Sequence, residues 1–202
     1  MILTVDLRPD WKELHMLTAI KAGTRTSCLK RGVGAVLVRN KREIVSGYNG
    51  APSGMENCLI DLKECFYERL AWEDSQKGHG PFELLKEARK IFCIARHAEA
   101  NAIQQCLDTG VSPKAATLFV TNFPCPRCVI EYIIPNKLAG VIVWKDYLAN
   151  PLLTEDELTM SVRLLRGAKV SVEKMDFPEK RIREIMEMHF SVGDKTKYVF
   201  QP

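Results

Sequence analysis

Along this chain the hydrophobic positions switch between a helical period and a strand period, and each switch marks an element. Residues 9–27, "PDWKELHMLTAIKAGTRTS", carry Trp11, Leu14, Leu17 and Ala22 near helical spacing, which predicts a first helix. "VGAVLVRN" (33–40) is apolar and β-branched, and "KREIVSGYNG" (41–50) repeats a short strand after a charged turn, so the pair reads as a hairpin. "GYNGAPSG" (47–54) is dense in Gly, Pro and Asn and reads as a loop of defined shape. Residues 59–92 are charged and partly helical, with a break at "QKGHGP" (76–81), and read as an insertion packed beside the core. "HAEANAIQQCLDTG" (97–110) is a helix closed by Gly110. There follow a strand in 116–122, a short helix in 124–136, a strand in 139–145, a helix in 155–168, a strand in 169–175 and a terminal helix over 178–190 with a polar tail.

A hairpin followed by alternating helices and strands predicts an α/β domain of three layers, α/β/α, around a central mixed five-stranded sheet. One domain is expected over 1–175, with 59–92 inserted, and 176–202 as a C-terminal helix and tail. No internal repeat or low-complexity segment interrupts this order.

Composition narrows the partners. At 202 residues the chain suits one domain with an insertion, and 46% hydrophobic with 27% charged residues is ordinary for a globular protein. A net charge of +4 falls short of the basic stripe of a nucleic-acid binder, so no nucleic-acid partner is expected. No apolar run is long enough to span a membrane, and "MILTVDLRPDWKE" lacks the basic-then-apolar layout of a signal peptide. A cytoplasmic location follows as the expectation. In a reducing compartment the seven cysteines then read as metal ligands or buried thiols rather than disulfides.

The cysteines also carry the chemistry. "PCPRC" sets Cys125 and Cys128 at i and i+3 on the first turn of a helix, with Pro124 just ahead where a helix start tolerates proline. Two thiolates at that spacing suit tetrahedral zinc, and a third protein ligand would leave the fourth position for water, as at a catalytic centre. His97 is the natural third ligand. Alone, the cysteine pair reads equally as a redox couple and the histidine as a structural residue. In the order H-x-E, then P-C-x-x-C, with Glu99 two residues after His97, they form the signature of zinc-dependent base deaminases. Zinc lowers the pKa of its bound water toward about 7. Glu99 is then the proton carrier, from the water to a ring nitrogen and on to the departing amine.

"TSCLKRGVGAVLVRN", "SGYNGAPSG", "HAEANAI" and "TNFPCPRC", with the spacing between them, resemble the deoxycytidylate (dCMP) deaminase family over most of residues 9–175. The resemblance implies a cytidine deaminase-like fold, a catalytic Zn2+, and conversion of dCMP to dUMP with release of ammonia, feeding thymidylate synthesis. In that family the asparagine of the "GYNG" loop lies against the sugar, which makes Asn49 the candidate for deoxyribose; a turn residue bonding its own backbone is the bland alternative. Tyr48 and Gly50 would shape the same wall, the Ala98 N–H would donate to the base carbonyl, and Phe123 would line the pocket or belong to the core. Lys30 and Arg31 read as phosphate ligands or as solvated surface. Regulation by dCTP and dTTP and assembly as a homo-oligomer, a hexamer in many members, are further implications of the resemblance. Deaminases of tRNA bases, of free nucleosides and of pterin or riboflavin precursors share the zinc motif, and a non-catalytic zinc-stabilised module has no use for Glu99.

Five cysteines are left. Cys106 falls on the far side of the "HAEANAI" helix and reads as a small buried hydrophobe. Cys28 and Cys58 match positions that hold a second, structural zinc in some phage members of the family. Cys65 and Cys93 would complete that site here, with His79 as the spare ligand; buried free thiols are the alternative. His15 and His189 read as structural or surface residues.

Overall fold

The structure is a computed structural model that describes residues 8–144 and 154–191. The chain ends before and after these limits, and the expected strand end at Lys145, lie outside the described residues.

Helix α1 (Trp11–Gly23) starts on a capping box: Asp10 Oδ1 accepts from the Glu13 N–H at 2.8 Å, and Glu13 Oε2 accepts from the Asp10 N–H at 2.9 Å. Its buried face is His15, Met16, Ala19 and Gly23, whereas Trp11 and Leu14, expected on the apolar side, are exposed. The seam is one position out because His15 turns inward, where its Nδ1 has a partner. Its Nδ1 lies 3.1 Å from Glu43 Oε1, and Phe119 packs edge-on against its ring. Trp11 lies at the rim beneath the Lys41 ammonium.

Strands β1 (Gly34–Arg39) and β2 (Arg42–Tyr48) form the expected hairpin, closed by Asn40 and Lys41, both at positive φ, the conformation that matches the twist of paired strands. The insertion holds a single π-helical turn (Cys58–Leu62), α2 (Phe66–Gln76), α3 (Phe82–Arg89) and a short 3-10 turn (Lys90–Phe92), with the break between α2 and α3 where the glycines predict it. There follow α4 (Ala98–Asp108), β3 (Thr117–Val120), α5 (Pro126–Cys128) continued by a π-helical turn (Val129–Ile133), β4 (Gly140–Val143), α6 (Glu155–Gly167), β5 (Ser171–Lys174) and α7 (Glu179–Ser191). Gly110, at φ 75°, closes α4 as expected.

The sheet order is β2-β1-β3-β4-β5, with β1 antiparallel to both neighbours and the β3–β4 and β4–β5 pairs parallel. Alternation along the strands feeds two cores. Ala35, Leu37, Leu118, Val120, Val141 and Val143 face α4, α5 and α6. Val36, Val38, Phe119 and Ile142 meet Met16 and Ala19 of α1, and Met175, Phe177 and Ile185 from the C-terminal segment. The segment after residue 175 thus covers the sheet, and Arg181 ties α7 to α1 through Glu13 at 2.9 Å. The architecture is the three-layer α/β/α arrangement with a mixed five-stranded sheet. No helix among the described residues is long and apolar enough to cross a membrane.

Candidate active site

Two parallel strands, β3 and β4, bring the ends of α4 and α5 together at one edge of the first core. Helix α4 can approach because Gly47 of β2 has no side chain: a Cβ there would lie 2.5 Å from the Ala102 nitrogen. The loop after β2 is then stitched to the residues before α4, with the Gly50 N–H donating to the Arg96 carbonyl at 3.1 Å and the Arg96 N–H donating back at 2.9 Å. Together these contacts fix where α4 begins.

His97 is the N-cap of α4 and Cys125 the N-cap of α5, both with extended backbone, so their side chains lean off the two helix starts toward a common point. His97 Nδ1 lies 3.5 Å from Cys125 Sγ and 3.3 Å from Cys128 Sγ. Among the described residues these are the one set of three such donors whose ligand atoms all lie within 4.8 Å of one another. A tetrahedral zinc with bonds of about 2.3 Å to sulfur and about 2.0 Å to nitrogen has N···S edges of about 3.5 Å. The two N···S distances therefore already match the edges zinc requires.

The three groups also perturb one another's protonation. Hydrogen bonding from Cys128, with His97 as the nearby cation, lowers the Cys125 pKa to about 4 against the opposing effect of burial. The Cys125 hydrogen bond raises the His97 imidazole to about 9. Cys128 is pushed up, first by its hydrogen bond to Cys125 and then by burial. Both neighbours favour the thiolate form of Cys125. Glu99, one residue into α4, is 3% exposed, and burial pushes its carboxyl above the usual carboxylate range. His97, Cys125 and Glu99 border one cavity of about 280 Å³. A larger open groove of about 920 Å³ between α6 and β5 contains none of these groups.

The remaining candidates divide. Asn49, Ala98 and Phe123 line the cavity; Phe123 is 4% exposed and packs into the first core as well. Asn49 is held on three sides: its Oδ1 accepts from the Val33 N–H at 2.8 Å and the Thr26 hydroxyl at 2.9 Å, and its Nδ2 donates to the Arg31 carbonyl at 3.0 Å. Tyr48 does not reach the cavity. It alternates out to solvent at the end of β2, and its carbonyl accepts from Asn101 Nδ2 at 2.7 Å. Gly50 is buried in the stitch to Arg96, where a Cβ would lie 2.4 Å from Ser27 Oγ, and it is not a wall residue.

Cys28, Cys58, Cys65 and Cys93 all line the same cavity, without three of them meeting as closely as the His97 set. Cys106 is fully buried on the inner face of α4. His79 lies away from the cavity, exposed, 3.6 Å from Asp74 Oδ1. His15 is structural, as expected, whereas the His189 side chain lies outside the described residues.

Sequence reasoning missed Tyr67. Its ring, in the insertion, is 7% exposed and forms part of the cavity wall beside Cys65 and Cys93. Its neighbour Glu68 binds Lys30 at 2.5 Å and lies 3.5 Å from Lys86, pinning α2 and α3 to the loop before β1. Nothing in the local pattern of "ECFYERL" distinguishes this tyrosine from a core residue.

Residues 9–143 match the family model described as the cytidine and deoxycytidylate deaminase zinc-binding region. The deoxycytidylate deaminase of Saccharomyces cerevisiae is 30% identical over 174 residues, covering 86% of this chain and 47% of that protein. The deoxycytidylate deaminase of Mycobacterium phage D29 is 35% identical over 121 residues, covering 60% of this chain and 84% of that one. The chain thus spans about half the length of the curated yeast relatives it matches and most of the phage protein. Among solved structures, the dCMP deaminase of cyanophage S-TIM5 in complex with dCMP and dUMP superposes with a TM-score of 0.58 at 26% identity, covering 83% of this chain and 98% of that one.

Proposed function

The chain belongs to the cytidine and deoxycytidylate deaminase family, and on that premise we propose that it is a zinc-dependent hydrolase converting dCMP to dUMP and ammonia. One observation carries the proposal: His97 Nδ1 stands 3.3–3.5 Å from two cysteine sulfurs while the buried Glu99 borders the same cavity. His97, Cys125 and Cys128 would hold the zinc, which when bound supplies a Lewis acid that makes water a nucleophile near neutral pH. Glu99 takes the proton from the attacking water and passes it to N3 of the cytosine. It then carries the second water proton to the amino group, which leaves as ammonia. Ala98, at the first position of α4, has its N–H among those without an intrahelical acceptor and donates it to the base carbonyl. Asn49 keeps one amide hydrogen for the sugar beyond its three structural bonds. Phe123 packs against the base.

The substrate is tested by ammonia release from dCMP, dCTP, deoxycytidine, CMP and a tRNA in parallel. Turnover of dCMP above the others supports the assignment; an inert dCMP beside an active alternative removes it while leaving the zinc chemistry standing.

We assign a second zinc to Cys28, Cys58, Cys65 and Cys93. What supports it is that all four thiols line one cavity from the core and from the insertion, and that a closed thiolate site would join the two. Two zinc ions per chain in purified protein is the expected result, and one would refute it. Homo-oligomeric assembly and response to dCTP and dTTP complete the reading, to be checked by mass in solution and by activity with each nucleotide added.

A further inference from the structure

Thr26 lies in the loop between α1 and β1, half-buried, and is not among the residues that border the cavity. Its hydroxyl nevertheless ties three pieces of chain together. The oxygen accepts from the Cys28 N–H at 3.1 Å. Its one hydrogen faces three acceptors: Asn49 Oδ1 and the Asn49 carbonyl, each at 2.9 Å, and the Arg31 carbonyl at 3.2 Å. Two of those three belong to Asn49, which does border the cavity.

The surroundings of Asn49 decide which way round its amide stands. The Val33 N–H, 2.8 Å from one end, requires the oxygen there, and the Arg31 carbonyl, 3.0 Å from the other, requires the nitrogen. The amide nitrogen therefore has one hydrogen left for a ligand. Its direction depends on how firmly the amide plane is held. Without the Thr26 hydroxyl, Oδ1 would keep the Val33 N–H as its donor and the Cys28 N–H would lose its acceptor. The amide would then be free to swing, although nothing inside the cavity had changed.

Resting on the dCMP reading and on the assignment of Asn49 to the sugar, we propose that Thr26 is a positioning residue: from outside the cavity it aims the free amide hydrogen of Asn49 at the substrate's 3′-hydroxyl. The deoxyribose of a 5′-monophosphate has no other hydroxyl, so an N–H that reads this sugar through a hydroxyl reads that one. Deamination leaves the 3′-hydroxyl unchanged. A contact to it therefore acts alike on the ground state and the transition state, and is felt in KM and not in kcat.

The test compares dCMP with its 2′,3′-dideoxy analogue in wild type, Thr26→Ser, Thr26→Val and Thr26→Ala. Tm is recorded for each, and binding of dUMP and 2′,3′-dideoxy-UMP is measured by calorimetry. A neutral hydrogen bond is worth roughly a 2- to 12-fold factor. Thr26→Val is expected to reduce the preference for dCMP over the analogue by about that factor, through KM, while kcat/KM for the analogue stays within about twofold of wild type. Thr26→Ser keeps the hydroxyl and should retain the wild-type preference. Thr26→Ala should repeat the loss, and it replaces the valine variant if a methyl in place of the hydroxyl prevents folding. Equal losses on both substrates would make Thr26 a structural residue only and overturn the proposal. So would an unchanged preference in the variants, or a wild type that treats the two substrates alike. If wild type fails to turn over dCMP, the functional reading falls, and the binding preference for dUMP over its dideoxy analogue decides the role of Thr26.

Discussion

Gly47 and Ala102 meet backbone to backbone: a Cβ on the glycine would lie 2.5 Å from the Ala102 nitrogen and 2.8 Å from the Ala98 carbonyl oxygen. The contact sets the depth at which α4 lies on the hairpin, and α4 begins at the residues that carry the chemistry. Neither backbone can yield locally, since one is in a sheet and the other in a helix. Gly47→Ala is expected to push α4 outward, costing about 1–3 kcal/mol by overpacking and lowering Tm by roughly 2–12 °C. Zinc content should fall with it, because His97 moves with α4 while Cys125 and Cys128 do not. A variant with wild-type Tm and full zinc would show that the contact is slack.

Glu99 is assigned to proton transfer and His97 to metal binding, although they are two residues apart. Glu99→Gln is expected to retain the zinc bound through His97, Cys125 and Cys128 while ammonia release falls about 10²- to 10⁴-fold, the usual size of a general acid–base contribution. Metal analysis and turnover on the same preparation decide it. Substantial turnover with bound metal would move the proton-carrier role to another group.

These two assignments also show what is readable from sequence. The zinc set could be found because helix starts impose local spacing: H-x-E and P-C-x-x-C each lie within one turn, and the elements that carry them follow hydrophobic period. The face of α1 could not. Its register depends on His15 meeting Glu43, 28 residues away, which turns Trp11 and Leu14 outward. Tyr48 turns outward for a related reason, since strand alternation at the end of β2 outweighs its nearness to Asn49. The part of Tyr67 in the cavity wall depends on the Lys30–Glu68 pair, a contact between segments with no common pattern.

That pair yields a prediction about the insertion. Burial disfavours the Glu68 carboxylate, but Lys30 and Lys86 outweigh it and hold its pKa below the usual range, so the tether is in place at neutral pH. Glu68→Gln should loosen α2 and α3 from the loop before β1. Trypsin is then expected to cut faster after Lys77, which is exposed just before Gly78 and Gly80. A double-mutant cycle of Glu68→Gln with Lys30→Met should return a coupling of about 0.5–1 kcal/mol, the upper part of the range for a partly exposed pair. Unchanged cleavage and zero coupling would mean that this ion pair does not hold the insertion.

The last prediction concerns pH and the layer formed by α1 and α7. Arg181 hydrogen-bonds Glu13 at 2.9 and 3.1 Å, and this is the first cause that lowers the Glu13 pKa below the ordinary glutamate value. A carboxylate whose pKa is depressed on folding adds stability that is fully present above its unfolded pKa and is lost as pH falls through the folded one. The pair is therefore intact at pH 7 and disappears in the acid range below about 4.3, the pKa of an unperturbed glutamate. Arg181→Gln should lower stability by roughly 0.5–1 kcal/mol at pH 7, since both side chains retain some exposure. Thermal unfolding of wild type and variant from pH 7 down to pH 3 should show the difference shrinking as Glu13 is protonated, until the two coincide. A gap of constant size across that range would assign the effect to the packing of the arginine stem against α1 and not to its charge.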